Sequence, residues 1–206
     1  MRESLRRYGL HALLFVALAL VAVLGWSNRS LAKENGELWD RLVRPYRGFV
    51  VPAFTARATD GREVVVADSD STRSQVLFVF SKGCHFCTQT LATWRAVDSA
   101  LAGERVHVAV VGISLDSAAV AANFAADNRL PFPVVGFPDL RTKAGYRARE
   151  VPLTMVVDGR GRVVYSTTGL LQGRAAIDSV VTAASAAAAP RPSVTASQPS
   201  NAEKRT

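Results

Sequence analysis

The 206-residue sequence predicts an α/β fold with a central, mixed but mostly parallel sheet flanked by helices, preceded by an apolar N-terminal helix. Three observations predict it. Two apolar runs rich in Val, "QVLFVFS" (75–81) and "RVHVAVVGIS" (105–114), read as strands buried on both faces, the pattern of a parallel sheet. The segment from Cys84 to Leu101 carries Leu91, Trp94, Val97 and Leu101 at spacings of three and four, so a helix separates the two strands. Strands alternating with helices then imply one sheet covered on both faces.

Taken in order, the chain opens with "MRESLRRYG", where Arg2, Arg6 and Arg7 precede the uncharged "ALLFVALALVAVLGW" (12–26). Counted from Tyr8, the segment spans ~28 Å as a helix, enough to cross a bilayer. Tyr8 and Trp26 bracket it as interfacial anchors do. Residues 1–27 thus form a cytoplasmic N-terminus and a transmembrane anchor, with the rest of the chain extracytoplasmic. A cleaved signal peptide is the competing reading, with "SLA" (30–32) as the cleavage site and Arg29 against it. Both place the domain in the same compartment. Residues 28–47 form a juxtamembrane stalk. Leu31, Leu38, Trp39 and Leu42 give it helical spacing and Pro45 ends it, while Gly36 favours a flexible tether.

The main domain covers residues 48–186. "GFVVPAFTARATDGREVVVAD" (48–68) reads as two extended pieces around an Asp60-Gly61 turn. The strand 75–81, the helix from Cys84 to about Leu101 and the strand 105–114 follow. Asp116 or Ser117 caps an Ala-rich helix to about Asn128. "FPVVGF" (132–137) is a short strand and "DLRTKAGYR" (139–147) a short helix. "LTMVVD" (153–158) and "RVVYSTTG" (162–169) form a closing hairpin around "DGRG", and a last helix runs from about Gln172 to Ala186. Residues 187–206, rich in Ala, Pro, Ser and Thr, bury too little apolar surface to offset their ordering entropy and form a disordered tail.

The chemistry concentrates in "FVFSKGCHFCTQT" (78–90), which holds both cysteines, Cys84 and Cys87. A buried strand ends near Ser81, Lys82 and Gly83 make a turn, and Cys84 falls at a helix start. There, unsatisfied N–H groups favour an anion, here a thiolate. Lys82 and a protonated His85 act in the same direction. Cys87, one turn on, sits under Cys84 and reaches any mixed disulfide that Cys84 forms. Metal binding fails on ligand count, because tetrahedral zinc needs four and the other histidines, His11 and His107, lie in the anchor and a strand. Covalent haem needs His directly after the second cysteine, where Thr88 stands. The net charge of +8 is scattered, with no basic patch interleaved with aromatics, so nucleic acid is no expected partner.

These stretches, with "VVPAFTARATDGREV", "NFAADNRLPFPVV" and "VPLTMVVDGRGRVVYSTTG", resemble membrane-anchored thioredoxin-fold proteins of the TlpA/ResA kind, within the redoxin (AhpC/TSA-like) superfamily, over about residues 48–183. The resemblance implies a thioredoxin-like fold and a thiol–disulfide oxidoreductase. It implies Cys84 as nucleophile, Cys87 as resolving thiol, and Val151-Pro152 as a cis-proline turn facing the pair, with Val151, His85 and Phe86 contacting substrate. The redox group is a Cys84–Cys87 disulfide, with no other cofactor. The implied partners are a protein thiol or disulfide, the membrane, and an electron donor within it; the implied task is reduction of exported proteins, including apocytochrome cysteines. Three positions depart from the pattern: Gly83 for Trp, Phe78 for the buried Asp of thioredoxin, and Thr90 for Glu. The proton acceptor for Cys87 is therefore His85, Lys82 or water. Two other functions stand beside this one. A peroxiredoxin-like peroxidase has Ser81 in place but Leu77 where its motif needs proline, and a non-catalytic tethered binding module needs no reactive thiol at all.

Overall fold

A computed structural model of the chain describes residues 2–68 and 72–188. Two compact units divide it at Tyr46/Arg47.

The first unit is a single helix, α1 (Arg2–Val43). It contains a stretch, Leu13–Gly36, of mean hydropathy 1.6 that is long and apolar enough to cross a membrane; as a helix it measures ~36 Å. The anchor and stalk read as separate segments are one helix, which passes through Gly36 and stops two residues before Pro45. A glycine inside a helix costs about 1 kcal/mol, too little to interrupt so many turns. The side chains of Arg2, Arg6, Arg7, Tyr8, Leu38, Trp39 and Leu42 lie outside what the structure describes.

The second unit carries the sheet. β1 (Phe54–Arg57) and β2 (Glu63–Val66) form a separate antiparallel hairpin around Asp60 and Gly61, with Asp60 accepting the Arg62 backbone N–H at 3.0 Å. The main sheet has the order β5-β4-β3-β6-β7, from β3 (Ser74–Phe80), β4 (Val108–Ser114), β5 (Val134–Gly136), β6 (Leu153–Val157) and β7 (Val163–Thr168). Between these strands run α2 (His85–Ala100), α3 (Ala118–Asp127) and α4 (Leu140–Gly145), and α5 (Arg174–Ala188) follows β7.

β3 is central and wholly buried, and its residues divide alternately between the two faces. Val76, Phe78 and Phe80 pack with Leu91, Trp94 and Val97 of α2, Phe124 of α3 and Val180 of α5. Leu77 and Val79 pack with Phe54 and Val66 of the hairpin and with Tyr146 after α4. This two-sided burial explains the unbroken apolar run. Gln75, polar like Ser74 before it, fastens the hairpin to the sheet: its amide donates to Val65 O at 2.8 Å and accepts from Ala67 N at 2.7 Å.

The sheet is mixed, but its antiparallel part is half of it and not just an edge. β3/β4 and β4/β5 are parallel, whereas β3/β6 and β6/β7 are antiparallel. A parallel crossover must return the chain along a whole strand, and α4 has only six residues. β6 therefore begins where β3 ends, with Leu153 opposite Val79. α5 extends to Ala188, two residues past the expected end; the rest of the expected disordered tail lies outside the described residues.

Candidate functional site

That register places Pro152 beside the turn that leaves β3. The chain turns at Lys82 and Gly83, and Cys84 becomes the N-cap of α2, with φ −87° and ψ 108°. Its amide donates to Ser81 O at 3.1 Å. Its sulfur accepts the Cys87 N–H at 3.2 Å, so the cysteine occupies the place where a serine or aspartate usually caps a helix. Cys84 is half-buried and Cys87 is fully buried, and both are free thiols.

Across from them the Val151–Pro152 peptide bond is cis. The Cys84 thiol donates to the Val151 carbonyl at 3.4 Å, a sulfur hydrogen bond between the start of α2 and the loop before β6. The nucleophile candidate and the proline turn, separated by 67 positions in sequence, are thus adjacent.

The two sulfurs occupy different environments. Burial is the first cause that pushes the Cys87 thiol up, to about 12. Its hydrogen bond with Cys84 and the charges of Cys84 and Asp116 add to this, while a backbone bond to Ser81 opposes it.

The remaining predicted residues divide. Phe86 is exposed at 55% beside the pair, an apolar surface next to a half-buried sulfur. His85 is exposed and its Nε2 lies 2.9 Å from the Gln89 amide nitrogen, one turn along the solvent face of α2. Lys82 is exposed and meets the site through its backbone, whose N–H donates to Asp116 Oδ2 at 2.6 Å. The three departures from the family pattern are structural: Phe78 stacks on Trp94 at 4.9 Å, the Thr90 hydroxyl donates to Phe86 O at 2.9 Å, and Gly83 sits in an open turn.

The sequence marks Asp116 only as one of two candidate caps, with Ser117, of the helix that follows. Its carboxylate instead turns back toward β3, accepting from Ser81 Oγ at 3.0 Å as well as from Lys82 N. The pattern held a signal: strands 75–81 and 105–114 both read as parallel, so their C-terminal ends lie side by side. Among the described residues no group of three or more His, Cys, Asp or Glu is placed to hold a metal.

A profile described as the AhpC/TSA family matches residues 48–166, more than half of the chain. The chain belongs to the AhpC/TSA family. Within this family its fold is thioredoxin-like. A thiol:disulfide interchange protein of the thioredoxin family from Chlorobium tepidum TLS is 23% identical, with a TM-score of 0.55, covering 68% of this chain and 97% of its own. StoA from Bacillus subtilis is 16% identical, with a TM-score of 0.55 and coverage of 66% and 98%. The peroxidoxin BcpB from Mycobacterium tuberculosis is 20% identical, with a TM-score of 0.55 and coverage of 69% and 98%. Likeness at this level shows the fold that this AhpC/TSA-family chain shares with them. Among proteins of curated function, none matches it in sequence.

Proposed function

We propose that this protein is a membrane-anchored, extracytoplasmic thiol–disulfide oxidoreductase that reduces disulfides in exported proteins, apocytochrome cysteines among them. The observation that carries the reading is the asymmetry of the pair: Cys84 half-buried at a helix tip against Val151, Cys87 fully buried behind it. The Cys84 thiolate attacks one sulfur of a substrate disulfide, forming a mixed disulfide and releasing the other sulfur as a thiolate. Cys87 then loses its proton and attacks the Cys84 sulfur. The substrate leaves as a dithiol, and two electrons have moved to it from the pair. A donor in the membrane supplies the two electrons that restore the thiols. Val151, Pro152 and Phe86 form the surface against which an extended substrate segment lies, and the apolar stretch of α1 anchors the domain.

Peroxidase chemistry is the second reading, favoured by the family match and by the peroxidoxin neighbour. It needs a hydroxyl directed at the attacking sulfur, and the Ser81 hydroxyl is engaged by Asp116.

One experiment separates the two. The fully reduced protein is mixed in turn with a disulfide-containing protein and with micromolar peroxide, and Cys84 and Cys87 are followed by mass spectrometry. The expected result is stoichiometric conversion to the Cys84–Cys87 disulfide with the protein substrate, and a glutathione-titrated potential of about −250 mV or lower. Rapid sulfenic acid at Cys84 with peroxide, and no exchange with the protein disulfide, overturns it. A potential near about −120 mV reverses the direction of electron flow.

A further inference from the structure

Asp116 is tied to the cysteine turn by several bonds. Oδ1 accepts from Ser81 Oγ at 3.0 Å, and Oδ2 accepts from Lys82 N at 2.6 Å and Ser114 Oγ at 3.3 Å. Its own N–H donates to Ser114 Oγ at 3.1 Å. The side chain is not used to cap α3, whose N-cap is Ser117 and has no side-chain cap bond. Ser81 in turn accepts the Cys84 amide, so one residue separates the carboxylate from the backbone of the nucleophile.

We propose that Asp116 is a positioning residue for the cysteine pair: its carboxylate fastens the end of β4 to the Ser81–Gly83 turn and so places an acidic group on the turn from which Cys84 and Cys87 follow. Three donors meet the carboxylate, Ser81 Oγ, Lys82 N and Ser114 Oγ, and fix its place at the turn. Among the causes that raise the Cys87 thiol, the charges of Cys84 and then of Asp116 come after burial and the hydrogen bond with Cys84. Like charge disfavours a second anion. Asp116 therefore adds to burial in keeping Cys87 a thiol. This deepens the proposed exchange reaction and rests on it for its purpose, though not for its test.

The test is a titration of the reduced full-length chain in detergent, with cysteine Cβ labelled with ¹³C, from pH 7 to 11. It reads the sulfur without substrate, so an inactive enzyme and a silent Asp116 give different results. The Cys87 signal is expected to stay nearly flat in the wild type and to move in Asp116→Asn, where each unit of downward shift gives about tenfold more thiolate at a fixed pH. Asp116→Glu, which keeps the charge, returns it toward the wild type. Ser81→Ala loosens the turn but keeps the charge, and its Cys87 signal stays flat. An Asp116→Asn titration that matches the wild type overturns the proposal. So does a Ser81→Ala signal that moves clearly away from the wild type, an arm read against the wild type alone that holds even if Asp116→Asn does not fold.

Discussion

Cys84→Ser is expected to lose thiol–disulfide exchange by at least ~10³-fold, because the substitution removes the attacking sulfur itself. Cys87→Ser is expected to behave differently. It leaves the first attack in place and stops the cycle at a mixed disulfide between Cys84 and substrate, visible as a reductant-sensitive adduct in a non-reducing gel. The difference follows from burial: Cys84 is the sulfur a substrate can approach, while Cys87 lies fully enclosed one helical turn along. A non-catalytic binding module predicts instead that Cys84→Ser keeps function and that no adduct accumulates.

Trp94→Ala is expected to cost about 3–5 kcal/mol of stability, the range for truncating a buried aromatic side chain. That is a large share of the roughly 5–15 kcal/mol that holds a domain folded. Trp94 is fully buried, stacks on Phe78 at 4.9 Å and lies 6.0 Å from the Phe80 ring. Its Nε1 donates to Thr154 Oγ1 at 3.2 Å, which joins α2 to β6, the two elements that carry Cys87 and follow Pro152. Thermal unfolding followed by circular dichroism measures the loss. Trp94→Phe keeps the ring stack but leaves the Thr154 hydroxyl without this donor, and its expected cost is smaller, about 1–3 kcal/mol. Equal melting temperatures for Trp94→Ala and the wild type contradict this packing.

Much of this was legible in the sequence because burial leaves a plain pattern. The run 75–81 reads as a strand with two covered faces, and β3 is central with apolar clusters on both sides. The Asp60-Gly61 and Asp158–Gly161 turns are local; at Gly161, with φ +69°, a Cβ comes within 3.1 Å of Val51 O, so glycine is required there. What the sequence hid is long-range. The direction of β6 depends on how far a six-residue α4 carries the chain, which periodicity does not encode. The role of Asp116 depends on two strand ends meeting 35 positions apart, and a carboxylate before a helix looks the same whether it caps forward or reaches back. Trp94 showed as core in its spacing, but its bond to Thr154 did not, since that partner lies 60 positions away.

One sulfur is presented for attack and the other is held in reserve, a difference that competitive alkylation of the reduced protein at pH 7 measures. Peptide mass spectrometry over a time course with iodoacetamide gives a rate for each cysteine. Cys84 is expected to be modified at least ~10²-fold faster than Cys87. Equal rates, or Cys87 reacting first, contradict it.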